Sequence, residues 1–303
     1  MSYKLNIAQP LEIEVKRILL ERINHSLNLI KKSEDTDHLV HEVRKDMKKV
    51  RGLLRLVRDI TGKERYKELN IWFRDTARMI SDLRDSHVLI TTLKELKDHY
   101  PRKLDSGEYS AIENELDNRY REIEERDVRN DDVVKKIKER LTKSILNIQD
   151  LNLDEDDREY IFKGMKRVYN RGVKAFKKAN QKPSDENLHD WRKRVKYLWY
   201  QVRLISNCWP GLLGKYARSV HSLSDYLGDD HDLAVFHTTI EQNENIRPDK
   251  KIRDKLGKMI LKKRAALQVS AFLLGEKIFA EKPGDFVRRI QSYCQTEKEK
   301  QTV

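Results

Sequence analysis

One amphipathic pattern occurs twice in this chain, and its spacing leaves little room for anything but a helix. The first copy is residues 36–58, TDHLVHEVRKDMKKVRGLLRLVR, and the second is residues 184–205, SDENLHDWRKRVKYLWYQVRLI. A shift of 148 places His41 on His189, Arg44 on Arg192, Lys45 on Lys193, Lys48 on Lys196 and Arg55 on Arg203. At about 100° per residue, the five basic residues of the first copy fall within about 60° either side of one line. Val43, Met47, Val50, Leu54 and Val57 fall opposite, as do Trp191, Val195, Leu198, Val202 and Ile205 in the second copy. Each helix therefore has an apolar face to bury and a cationic face to account for.

Like charges three and four residues apart disfavour an isolated helix by a few tenths of a kcal/mol per pair. A single basic stripe is ordinarily a solvated face. Here, however, the apolar positions keep only their character between copies, whereas several basic positions keep their identity. The chain carries a formal charge of +13 over 303 residues, with 38% hydrophobic and 37% charged residues. That is apolar enough for real cores. The charge points to a polyanionic partner, with nucleic acid, an acidic membrane surface and inorganic polyphosphate all open at this level.

Eleven Gly, six Pro and long 3.6-residue periodicity with hardly any alternation predict an all-α protein. About twelve helices are expected, six per half. In the first half they span 11–32, 36–60 (capped by Thr36 or Asp37 and ended by Thr61-Gly62), 63–83, 86–100, 107–127 and 131–149. The acidic run 154–157 is expected to mark the boundary and to favour the helix N-terminus that follows it. That helix, about 157–180, carries a third basic stripe: Lys163, Lys166, Arg167, Arg171, Lys174 and Lys177. The second copy of the key helix follows, with Ser184 as N-cap, and helices at about 212–227, 230–244, 249–274 and 284–297 complete the chain. The whole reads as one domain, 1–303, with a first repeat at about 11–150 and a second at about 154–297.

The repeat continues with a shift of 144, which pairs Arg74 with Arg218, Asp85 with Asp229 and His87 with His231. Asp85 and Asp229 read as N-caps after a helix break, the second following Gly228, or as carboxylates that orient a phosphate-binding Arg. His87 and His231 fit buried hydrogen-bonded histidines as well as ligand contacts. Cys208 and Cys294 lie far apart without metal-ligand spacing, so neither a zinc site nor a disulfide framework is expected, and a reducing cytoplasm fits best. No signal-like or membrane-spanning apolar run is seen. No metal, cofactor or membrane partner is expected.

The segments LHDWRKRVKYLWYQVRL, YLGDDHDLAV and MKRVYNRGVKAFKKA, with VHEVRKDMKKVRGLLRL and LRDSHVLI, resemble the CHAD family, the conserved histidine α-helical domain. The resemblance covers nearly the whole chain. It implies two pseudo-symmetric helical halves whose basic faces converge on a central groove or pore, and it implies binding of inorganic polyphosphate, with cytoplasmic polyphosphate granules as the location. By motif match, His41, Arg44, Lys45, Lys48, His189, Arg192, Lys193 and Lys196 correspond to the family's His-x-x-Arg/Lys element. Arg51, Arg55, Arg74, Arg78, Arg203, Arg218 and the 163–174 stripe are further expected lining residues, and Tyr200 lies on the basic side. Trp199 stands where the first copy has Arg51. Many relatives are joined to a triphosphate-tunnel β-barrel enzyme; the acidic Glu-x-Glu-x-Lys signature of such a barrel is read as absent here, so hydrolysis is not expected to carry over.

Polyphosphate is a linear anion with no base to read, so recognition rests on charge and geometry. Arginine offers a planar fork to two phosphate oxygens and lysine a mobile point charge. Two other functions compete. A nucleic-acid binder would use Trp191, Tyr197, Trp199 and Tyr200 to stack on bases. A metal-dependent His-Asp phosphohydrolase would use His189-Asp190 and His231-Asp232, although neighbouring Arg and Lys repel a divalent ion.

Overall fold

The computed structural model describes residues 3–101, 103, 106–129, 132–153, 159–242, 246 and 248–302. Among them are eleven α-helices and no strand: α1 (Leu11–Lys32), α2 (Thr36–Leu56), α3 (Lys63–Arg78), α4 (Ser81–His99), α5 (Ser106–Glu124), α6 (Asp132–Gln149), α7 (Glu159–Gln181), α8 (Asp185–Leu204), α9 (Pro210–Gln242), α10 (Lys250–Ile278) and α11 (Pro283–Thr302). A one-turn π segment follows α5, and a 3-10 turn, Ser206–Cys208, follows α8. The acidic run 154–157 lies outside the described residues.

Local chemistry sets most boundaries. Asp35, one residue before the expected cap, accepts from the His38 amide and starts α2. Ser184 accepts from the Asn187 amide and starts α8, and Asp249 caps α10 in the same way. Gly62, at φ +80°, turns the chain between α2 and α3, a conformation that disfavours side chains.

Two expected breaks are displaced. The chain breaks at Met79-Ile80, not near residues 84–85, because the Arg44 guanidinium and the Ser81 hydroxyl both donate to the Ala77 carbonyl that the break frees. Conversely, α9 runs unbroken through Gly228, which lies against the Arg192 guanidinium instead of ending a helix. Asp85 and Asp229 are therefore interior helical residues, and the expectation that they are N-caps is corrected.

Two apolar cores organise the packing. The larger joins the inner faces of α1, α2, α3, α6, α7, α8 and α11 with parts of α4, α9 and α10, and the fully buried Trp191 stacks on Phe272 at 5.3 Å within it. Each large side chain buried there contributes roughly 1.5–3 kcal/mol. The smaller joins Leu89, Leu93 and Leu96 of α4, Tyr109, Ile112 and Leu116 of α5, Leu233, Phe236 and Ile240 of α9, and Leu256, Met259 and Ile260 of α10. Buried Asp46 holds α1 to α2, accepting from Ser26 Oγ at 3.2 Å and Lys49 Nζ at 3.1 Å and facing His25 Nδ1 at 2.5 Å.

The helix α2 touches both α7 and α8. Both contacts depend on glycine: a Cβ at Gly52 would lie 3.0 Å from Tyr200 Cβ, and one at Gly164 would collide with the Leu56 carbonyl oxygen. The N-terminal segment straps the first crossing, since Tyr3 donates to the Lys49 carbonyl at 2.7 Å and the Leu5 amide donates to the Leu204 carbonyl at 2.7 Å.

Two further corrections follow. The Cys208 and Cys294 side chains form a disulfide, because α11 packs along α7 and returns to the 3-10 turn. Disulfides belong to oxidising surroundings, so the inference of a reducing compartment from unpaired thiols falls. In addition, residues 12–16, Glu-Ile-Glu-Val-Lys, do have the Glu-x-Glu-x-Lys order of a tunnel barrel. They open a helix, however, where Lys16 pairs with Glu12 at 2.7 Å and Arg17 with the buried Glu14 at 2.7 Å. Two glutamates at that spacing would share one face of a strand and diverge on a helix. No described helix is long and apolar enough to cross a membrane.

Candidate functional site

The cationic faces of α2 and α8 turn toward one space. A cavity of about 620 Å³ lies among α2, α4, α8 and α9, and is lined by His41, Arg44, Lys45, Lys48, His189, Arg192, Lys196 and Tyr200. A second, of about 370 Å³, lies among α2, α3 and α8, and is lined by Arg44, Lys48, Arg51, Arg74, Arg78, His189, Arg192, Lys193, Lys196 and Tyr200. They share Arg44, Lys48, His189, Arg192, Lys196 and Tyr200. A separate, largely apolar cavity of about 340 Å³ beside α11 contains none of the repeated basic residues.

Crowding of like charges shows in the titration of these groups. Burial pushes the Lys48 ammonium down to about 7, and the charges of Lys196, Arg44 and Arg192 add to the effect. Burial likewise pushes Lys196 down to about 8, with Arg192 adding to it and Asp232 opposing. Arg44, Arg51 and Arg192 are all lowered, chiefly by burial. The Nε of Arg44, the Nε of Arg192 and the Nδ1 of His189 are buried without a hydrogen-bond partner. Buried donors normally find an acceptor, so equivalent guanidiniums on the two helices both hold capacity for one.

The histidines on the cavity wall are shifted toward the neutral form. Burial lowers His41, with Arg84 adding to it, and lowers His189, with Lys193 and Arg192 adding to it. His231 is pushed down to about 3, mainly by burial, and its ring lies 4.5 Å from that of His189 on the cavity wall. His87, its sequence counterpart, lines none of these cavities and instead faces Asp37 at 2.8 Å.

Several expected lining residues lie elsewhere. Arg55 covers the Tyr197 ring at 3.8 Å, and Arg203 covers Trp199 at 5.0 Å. Arg218 lines neither cavity. On α7, Lys163, Lys166, Arg171 and Lys174 are exposed outside both cavities, and Arg167 pairs with Asp59 at 2.7 Å. The aromatic residues suited to base stacking are mostly occupied, since Trp191 and Tyr200 are buried and Tyr197 lies under Arg55. Among the described residues no three His, Cys, Asp or Glu side chains converge as metal ligands would.

Two lining residues, Arg84 and Asp225, were not singled out from the sequence. Arg84 lines the larger cavity, but its counterpart under the shift of 144 is Gly228, so comparison of the two copies discards it. Asp85, Asp225, Asp229 and Asp232 also line it. Arg44 faces Asp85 at 3.7 Å and Arg192 faces Asp232 at 4.0 Å. Burial raises Asp85, and burial with the Glu95 charge raises Asp229 to about 6.

The model for the CHAD domain matches residues 17–241, about three quarters of the chain. No curated protein matches. The paired basic helices and the cavities between them lie inside the matched span, and the chain belongs to the CHAD family.

Proposed function

We propose that this protein binds inorganic polyphosphate, without catalysis, in the linked basic cavities between α2 and α8. The observation that carries this reading is that the cationic faces of the two copied helices meet across one space, with Lys48 and Lys196 held there partly uncharged. Self-repulsion of that kind is relieved by an anion that contacts both lysines at once. Arg44 and Arg192 supply forks for phosphate oxygens and the unpartnered Nε donors. A linear chain of phosphates fits cavities that share a waist. We further propose that the chain is one domain made by duplication of about 11–150 and 154–297, the two pseudo-two-fold-related copies enclosing a central basic groove or pore.

The test is titration calorimetry with polyphosphate against the wild type and a Lys48→Glu/Lys196→Glu variant. Wild-type affinity is expected to fall steeply with salt, by about 0.7 in log K per log unit for each neutralised phosphate, as for single-stranded nucleic acid. Charge reversal is expected to abolish binding, and undiminished binding would reject the site. A single-stranded DNA of equal charge is expected to compete poorly. No phosphate release is expected on incubation with divalent cations.

A further inference from the structure

The two ends of the linked cavities are chemically unlike. On the α3 side the lining adds Arg51, Arg74, Arg78 and Lys193 to the shared residues and contains no carboxylate; Asp75, just outside it, pairs with Arg74 at 2.8 Å. On the opposite side two of the four corresponding positions have lost their charge, whereas Lys45, the counterpart of Lys193, keeps it on the cavity wall and Arg218, the counterpart of Arg74, keeps it outside the cavity. Trp199 stands where the first copy has Arg51, Ser222 where it has Arg78, and Asp225 where it has Ser81. Trp199 packs on His221 at 4.2 Å, and His221 pairs with Asp225 at 2.8 Å.

The same end is acidic. Asp85, Asp225, Asp229 and Asp232 all line the larger cavity. Beyond it a third cavity, of about 180 Å³, shares Arg84, Val88, Asp229 and Asp232 with the larger one and adds Glu95 and Lys263. A phosphate leaving the waist in this direction meets carboxylates well inside the roughly 8 Å over which charges act at physiological salt. Leaving toward α3, it meets no carboxylate on the wall itself, where the nearest acids, Asp75 and Asp190, are each paired with wall cations, Asp75 with Arg74 and Arg78 and Asp190 with Lys193.

We propose that the site is one-ended: it takes the terminal segment of a polyphosphate chain from the α3 side and does not let the chain thread through. This deepens the polyphosphate reading and rests on it. The waist suits a terminus, because a terminal phosphate carries up to about two negative charges near neutral pH, as a phosphate monoester does, against about one for an internal residue. Arg44, Lys48, Arg192 and Lys196 converge where the dianionic end would stop. Asp225, Asp229, Asp232 and Trp199 are the residues that set this specificity.

The experiment measures proteins bound per chain by analytical ultracentrifugation, using polyphosphate fractions of defined short and long length, intact or with both ends blocked as phosphoramidates. Wild-type protein is expected to saturate at one molecule per chain end whatever the length, and end-blocking is expected to weaken binding roughly tenfold, the loss of about one strong charge-assisted contact. An Asp225→Asn/Asp229→Asn/Asp232→Asn variant is expected to bind long chains in numbers that rise with length. A wild-type stoichiometry that rises with length, or equal affinity for blocked and intact chains, would overturn one-ended binding while leaving polyphosphate recognition intact. Absence of binding to every chain would instead overturn the polyphosphate reading itself.

Discussion

Binding of a polyanion should draw protons into this protein above neutral pH. Desolvation inside the cavity and the neighbouring cations push Lys48 down to about 7 and Lys196 to about 8, although the Lys48 side chain is exposed and Lys196 is only half-buried. At pH 8 the unliganded pair therefore lacks roughly one to one and a half protons, and an anion between them restores the ordinary lysine value of about 10.4. At pH 6 both lysines are already charged and uptake from them is close to zero. Lys48 is reached by cavity water, so screening trims the coupling. We expect affinity to fall about tenfold to a hundredfold between pH 7 and pH 9. The assay is calorimetry at pH 8 in buffers of different ionisation enthalpy, whose slope gives the protons taken up. In the free protein the sign reverses. A depressed lysine costs stability wherever the unfolded lysine is charged, fully below about pH 7 and progressively less toward pH 10, so the free protein should gain stability over the window in which affinity drops. Zero proton uptake at pH 8, with equal affinity at pH 7 and pH 9, would refute the reasoning.

Three other outcomes are expected. Asp85→Asn should raise polyphosphate affinity about two- to fivefold, since it frees Arg44 from a partly exposed carboxylate; weaker binding in a titration would contradict this. Gly164→Val should lose about 1–3 kcal/mol or more in urea unfolding, because the new side chain meets the Leu56 carbonyl across the α2–α7 contact; an unchanged midpoint would count against that close approach. Cys208→Ser with Cys294→Ser should lose about 2–4 kcal/mol through the long loop it reopens, seen as a lower melting temperature that reductant reproduces in the wild type, and a melting temperature indifferent to both would rule it out.

The helical class was legible because α1, α2 and α8 carry strong periodicity and recognisable caps. The repeated basic residues nearest the waist, Arg44, Lys48, Arg192 and Lys196, were legible because identity at those positions outlasts any need of the core. Tertiary contacts hid the rest. Nothing at Met79-Ile80 punctuates a helix, and the break there is sustained by Arg44 from another helix. Gly228 looks like a terminator but serves as packing space beside Arg192. On α7 the stripe repeats basic residues at helical spacing as α2 does, yet it faces solvent, and periodicity does not say which neighbour a face will meet. The disulfide depended on where α11 returns, which residue spacing does not encode.

The smaller core has a consequence for how the protein can be divided. It is built from α4 and α5 of the N-terminal half and α9 and α10 of the C-terminal half, so neither half owns it. A fragment cut between the halves would present Leu93, Leu96 and Leu116, or Phe236, Ile240 and Leu256, to water as sticky, unmatched surface. Because α4 and α9 also wall the larger cavity, its width is fixed by this joint. Evolution could not easily retune one half for a new anion without the other answering in kind.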